Sequence, residues 1–391
     1  MANSLNAYLA RIAQGADLSK LSWSPDDPQI AEELCDQVFM NLCQGYFTYL
    51  QADAKHPDFG PLYNSVMRLQ PNPDDTYTRT WLDSDGIYRL HGERGNVRLL
   101  TLTLAGTSIG MTDIDKVEGQ TAEYDLDEVI SFEPDGTFSV ILSAERPSGH
   151  SGNWLRLPPG TKGMITRQRS YDWGREADAR LAIERLDVSP LKPRIPLEEL
   201  RERLAGLAAF GERHSRQWLT YQDQLRVKGI VNRVEHHGFT ELGGVRVQVY
   251  WWGIFDLQPG EALILETELP DNPRYWNVQI NDEIWNTLEY VWRQSSLNGH
   301  QAKIDADGKF RAVISLEDPG VPNWLDTVGR LKGTLVGRWY QCSTNPVPQL
   351  KKVRLSEVRD HLPAETPHVS PEQRDSDIRA RASGAQLRRR W

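Results

Sequence analysis

Hydrophobic positions change period twice along this chain. Ile30, Leu34, Val38, Leu42 and Tyr46 recur at helical intervals behind Ser24-Pro25-Asp26-Asp27, a capping segment with acidic first-turn residues. The pattern predicts helix up to the His56-Pro57 break. From about Thr76 the period becomes two. Ile87, Arg89 and His91, then Arg98 to Leu104, then Val129-Ile130-Ser131-Phe132, read as strands, with Gly92 and Gly95 as punctuation. Pro190, Pro193 and Pro196 mark a seam, after which Leu200, Leu204, Leu207, Phe210, His214 and Trp218 return to helical spacing. Alternation resumes near Val231, through Val245 to Trp252 and Ala262 to Thr267, and fades after Pro363.

The alternating regions repeat each other. Asp135-Gly136-Thr137-Phe138, an apolar run to Ser143, Asn153-Trp154-Leu155 and Arg167 return as Asp307-Gly308-Lys309-Phe310, a run to Ser315, Asn323-Trp324-Leu325 and Arg338. Asp-Gly between alternating residues is a hairpin signal. The expected fold is mainly β with flanking helices: two related antiparallel sandwich or jelly-roll-like modules from an internal duplication. The expected divisions are a helical segment over 1–60, a first module over 61–188, and a linker and helix over 189–228. A second module follows over 229–360, and 361–391 reads as a polar tail without stable structure, holding six arginines between Arg374 and Arg390.

Composition narrows the function classes. A net charge of −9 argues against nucleic acid as a partner of the body of the protein. No apolar run is long enough to span a membrane, and the N-terminus lacks the regions of a secretory signal, so a cytoplasmic location without membrane contact is expected. Cys35, Cys43 and Cys342 show no metal-ligand spacing, and no metal is expected. The 13 tryptophans suit sandwich cores first and ligand stacking second. Long sheet edges lead us to expect a homodimer.

No Gly-rich phosphate loop, nucleophile elbow or His-Glu-x-x-His occurs, so no cofactor is expected. Polar clusters remain. Asp318-Pro319-Gly320-Val321-Pro322-Asn323-Trp324-Leu325-Asp326 to Arg330 gathers two acids, an amide and a guanidinium in one loop. It suits either a structural Ω-like loop or a site. In Tyr275 to Asp282, alternation puts Trp276, Val278 and Ile280 on one face and Asn277, Gln279 and Asn281 on the other, as a row of amides for a ligand or for solvent. Gln70-Pro71-Asn72-Pro73-Asp74-Asp75 to Arg79 is the matching polar segment of the first module, either a capped turn or a hold for substrate. His91 and His300 are the histidines placed for general-base work.

The stretch from Tyr275-Trp276-Asn277 through Asp318-Pro319-Gly320 and Asn323-Trp324-Leu325-Asp326 to Gly337-Arg338-Trp339 resembles the bacterial proteins known as domain of unknown function 1214. Asn72-Pro73-Asp74-Asp75-Thr76-Tyr77 with Trp81-Leu82-Asp83 is similar to a shortened domain of unknown function 1254. The resemblance implies paired β modules and carries over no catalytic residue.

Two functions are expected from these residues. The first is a cofactor-independent lyase, dehydratase, isomerase or hydrolase acting by acid/base chemistry on a neutral or weakly polar small molecule such as a terpenoid, steroid or saccharide. Asp326 or His300 would move the proton, with Asp318 beside them. Arg330 and Arg338 would hold developing charge, Asn277 and Asn323 would orient hydroxyls, Trp276 and Trp324 would form the wall, and Asp75 and Arg79 would contact substrate. The alternative is a non-catalytic glycan- or protein-binding assembly protein.

Overall fold

A computed structural model describes residues 5–14, 27–62, 70–107, 111–113, 116–238 and 247–388. Ser24 to Asp26, Val245, Arg246, the side chain of Trp218, and Arg389, Arg390 and Trp391 lie outside that description.

Among the described residues, each alternating region folds into nine strands. The first nine are β1 (Gly60–Pro61), β2 (Asp75–Trp81), β3 (Tyr88–Glu93), β4 (Leu99–Ala105), β5 (Gln120–Asp125), β6 (Thr137–Ser143), β7 (Asn153–Arg156), β8 (Gly163–Arg169) and β9 (Arg180–Arg185). The second nine are β10 (Arg233–His237), β11 (Gln248–Asp256), β12 (Glu261–Glu268), β13 (Tyr275–Asn281), β14 (Ser296–Asn298), β15 (Lys309–Ser315), β16 (Trp324–Asp326), β17 (Lys332–Tyr340) and β18 (Gln349–Arg354). Five-stranded sheets run β1-β2-β8-β4-β5 and β10-β11-β17-β13-β14; four-stranded sheets run β7-β6-β3-β9 and β16-β15-β12-β18. Every strand of the first module corresponds to the strand nine places later, which makes the duplication a property of the topology. Among these strands, pairing is antiparallel except for one parallel pair per module, β6 with β7 and β15 with β16.

The repeated residues do repeated work. Gly136 and Gly308 close the same tight turn at φ +83° and +81°, a left-handed conformation that glycine adopts without strain. Asn153 Nδ2 donates to Ser131 O and Ser139 O, and Asn323 Nδ2 donates to Lys303 O and Arg311 O. Trp154 and Trp324 each donate the indole N–H to the serine that ends the preceding strand, Ser143 Oγ and Ser315 O. Inner-face side chains form one core per module, around Leu90, Leu102 and Leu142 in the first and Trp251, Phe310 and Trp339 in the second.

The outer faces of the two five-stranded sheets meet, with Leu99 against Tyr275 and Tyr340. Helices cover what remains: α1 (Leu5–Gln14), α2 (Pro28–Tyr46) and the long α4 (Leu197–Val227), with α3 (Leu126–Val129) a single turn. Asp27 caps α2 through Gln29 N–H, with Pro28 at the first position. The buried side of α2 begins with Ile30, Leu34 and Val38 but continues as Gln37, Asn41 and Gln44, and Thr48 follows in the next turn. Leu42 and Tyr46, expected on that side, are half-buried and exposed. None of the helices in the described residues is long and apolar enough to cross a membrane.

Two expectations need correction. Val129 to Phe132 is no strand: Asp125 caps α3, and Ile130 and Phe132 pack onto the first core from a loop. The tail from 362 to 388 is ordered. It carries α5 (Pro371–Leu387), whose buried residues are Arg374, Ala382, Gly384 and Ala385. Its apolar periodicity is absent because arginines take the place of leucines. Arg374 binds Asp318, Gln294 and Val321 O, and Arg381 binds Tyr290 O and Ser296 over the Trp173 ring.

Candidate functional site

The loop 318–330 is held by ion pairs. Asp326 is buried and takes both Nε and Nη2 of Arg293, at 2.5 and 2.9 Å, and also caps Val328 N–H. Asp318 accepts from Arg374 at 2.8 Å, and Arg330 donates to Glu33 at 2.5 Å. His300 is exposed, with Nε2 3.7 Å from Asp172. Asp326, His300, Arg330 and Asp318 make no hydrogen bond or ion pair with one another, so the four do not act as one constellation. Asn323 ties backbone segments together, Trp276 lies in the second core, and Trp324 packs under Arg374. Arg79 stacks 4.1 Å above the Trp81 ring.

The other two polar clusters of the sequence do come together. Loop 70–75 threads across the outer face of β13, and its amide row receives it. Asn277 Nδ2 donates to Asn72 Oδ1 at 2.9 Å, Gln279 Nε2 to Pro71 O at 3.2 Å, and Asn281 Nδ2 to Gln70 Oε1 at 3.2 Å. The loop thus occupies the place that a ligand or solvent was expected to take. Asp74 and Asp75 follow it into the interior with opposite fates. Burial pushes the Asp74 carboxyl up, against donors from Tyr275 Oη (2.5 Å), Asn298 (2.6 Å) and Trp173 (2.8 Å). Burial acts on Asp75 too, but Arg169, bound in a two-pronged grip at 2.6 and 2.7 Å, with Arg167 and Arg338 behind it, holds that carboxyl below its usual range. Arg169 also donates to Gln248 and stacks on Tyr275, which joins the modules.

Two tyrosine–arginine pairs flank this network at equivalent positions. Tyr77 faces Arg167 across β2 and β8, and Tyr250 faces Arg338 across β11 and β17. The guanidinium centres lie 5.7 and 5.6 Å from the ring centroids. Arg167 donates to Thr103 and Arg338 to Gln279, again equivalent positions. All four side chains are buried. Burial, and then Asp75, push the Tyr77 phenol well up, so it keeps its proton at neutral pH. The sequence repeat marked both arginines; reading the clusters singly selected only Arg338 and Asp75 and missed Arg167, Tyr77 and Tyr250.

Among the described residues no three His, Cys, Asp or Glu side chains group closely enough to hold a metal ion. The cysteines are free, Cys35 and Cys43 exposed and Cys342 half-buried.

A family model described as a protein of unknown function (DUF1214) matches residues 70–172 and 260–344. The first-module segment that resembles domain 1254 therefore falls under the same model as the second module. No curated protein matches the chain. The crystal structure of an uncharacterized protein from Burkholderia cenocepacia aligns over 90% of this chain and 96% of its own, at 26% identity and a TM-score of 0.83. The VPA0106 protein from Vibrio parahaemolyticus aligns over 82% and 99%, at 13% identity and a TM-score of 0.47.

Proposed function

For this chain, a two-module protein of the DUF1214 type, we propose an enzyme that acts by general acid/base chemistry on a neutral small molecule with a carbonyl oxygen. The observation that carries the reading is the duplicated pair Tyr77–Arg167 and Tyr250–Arg338, buried where the modules meet. Burying charge is costly, and a sheet that only needed packing would carry apolar residues here. Asp75 feels three guanidiniums, those of Arg169, Arg167 and Arg338, so the surroundings favour negative charge. Arg167 and Arg338 would stabilise an oxygen that gains charge in the transition state, a contribution of about 3 kcal/mol per well-placed donor. Tyr77, protonated, would supply the proton, as an isomerase, lyase or hydrolase requires. The amide row along α2, Gln37, Asn41 and Gln44, adds polar groups to the helical layer over these sheets.

The saturated contacts of loop 70–75 favour a second reading, in which the polar centre only joins the modules. Thermal shift against acetate, malonate and benzoate separates the two. These anions mimic the charged oxygen and would raise the Tm of the native protein by mass action. In Arg167→Gln and Arg338→Gln the shift should vanish. Absence of any shift in the native protein, or equal shifts in folded variants, would leave the joining role alone.

A further inference from the structure

The modules differ at one level of their interiors. Registering the strands on Arg167 and Arg338 sets Thr78 and its partner Thr166 where the second module has Trp251 and its partner Gly337. The same register sets Leu100 against Trp276 and Gln168 against Trp339. In the second module the three indoles and Phe310 fill the sandwich. Trp251 lies 5.7 Å and Trp276 6.0 Å from Trp339, and Trp276 lies 5.0 Å from Phe310. Trp251 presses so closely on Gly337 that a Cβ there would fall 1.9 Å from the indole. The first module keeps the phenylalanine, as Phe138, but has two threonines, a leucine and an amide in place of the tryptophans and glycine.

Two of these four positions, Thr78 and Gln168, border open space. A cavity of about 790 Å³ lies between the first module's sheets, bounded by Phe59, Thr76, Thr78, Phe138, Gln168 and Leu387 among others. That is the size of a small-molecule site. Because side chains alternate along β2, it lies on the opposite face of the sheet from Tyr77 and the polar centre. Its walls supply aromatic and aliphatic surface. Polar and charged side chains make up more than half of its lining residues, His91, Glu93, Asp178, Arg180 and Arg388 among them. The Thr78 and Thr166 hydroxyls lie 2.6 Å apart. Arg388 spends its Nη atoms on Asp74 O, Gln168 O, Thr76 and Asp178, while its Nε–H, buried, has no acceptor among the described residues. Asp178 balances the Arg388 charge, Glu93 pairs with Arg180 at 2.8 Å, and Glu176 adds a further carboxylate to the lining.

We propose that the first module binds a neutral aromatic or fused-ring alcohol or ketone in this cavity, its rings lying where the second module packs indoles. The ligand oxygen reaches the Thr78 hydroxyl or the Arg388 Nε–H. A carboxylate is disfavoured by the acidic opening. This site is separate from the proposed acid/base centre and stands without it.

The test uses the full chain with 2-naphthol, naphthalene and 2-naphthoate in equilibrium dialysis. The native protein should bind 2-naphthol saturably and more tightly than the other two. The double variant T78W/T166G copies the tryptophan-on-glycine pair of the second module and should weaken binding by about tenfold or more. Leu387→Trp, at an exposed position beside the opening, should also weaken it and decides the matter if the double variant fails to fold. Absence of saturable 2-naphthol binding, or native affinity in the folded variants, overturns the proposal.

Discussion

Tyr275 Oη donates to Asp74 Oδ2 at 2.5 Å, a hydrogen bond between the first strand residue of one half of a sheet pair and the loop that enters the other. It lies in the interior, where an unmade bond is costly. Tyr275→Phe should therefore destabilise the protein by about 1–3 kcal/mol in urea unfolding, because Asp74 keeps its burial and loses a donor. Native stability in this variant would show that the network does not hold the modules together.

Asp282 gives a pH dependence with a definite sign. Burial, only partly offset by N–H donors from Asn286 and Ile284 and by Arg330, raises its carboxyl from 3.8 to about 7. The folded state thus holds this proton more tightly than the unfolded state. The associated stability is complete below about pH 4 and is lost as pH rises through about 7. Between pH 4.5 and 8 the native protein should lose on the order of 3 kcal/mol relative to Asp282→Asn. Parallel stability curves for the two proteins would contradict the assignment.

The glycines separate two kinds of constraint. Gly337→Ala drives a methyl into the buried Trp251 ring and should cost about 3 kcal/mol or prevent folding. Gly136→Ala meets nothing within 4 Å and strains only the backbone at φ +83°, for about 1 kcal/mol. Chemical denaturation of both variants tests the order; a milder effect at 337 than at 136 would refute the packing argument.

Arg374 and Arg381 of α5, with Arg388 directly after its last residue, anchor the helix. Arg388→Met removes the partner of the buried Asp178 and should cost about 3 kcal/mol or more. Arg379, exposed on the same helix, should tolerate Ala within about 0.5 kcal/mol. Equal melting temperatures for the two variants would mean that the helix end is not anchored.

Some of this was written locally in the chain. Asp-Gly turns, period-two alternation and Asn-Trp-Leu spacing depend on neighbours a few residues apart, so Asn153 and Asn323 could be matched, and two related modules expected, before any contact was known. The faces of β13 were legible for the same reason: alternation alone sends Trp276 inward and Asn277 outward. What Asn277 meets there was not legible, because its partner Asn72 is 205 residues away and only the apposition of the two sheets brings them together. Asp326 looked reactive in a loop rich in polar groups, and Arg293, 33 positions earlier, turned it into half of an ion pair. The tail looked structureless because hydrophobic periodicity detects leucines, and here the buried contacts are guanidiniums whose carboxylate and carbonyl acceptors come from distant segments. The hollow in the first module stands between these cases: Thr78, Leu100 and Gln168 are plain in the sequence, but only strand register pairs them with Trp251, Trp276 and Trp339. Short-range pattern determined the elements and their repetition, and long-range pairing of buried polar groups decided which residues are free to meet a ligand.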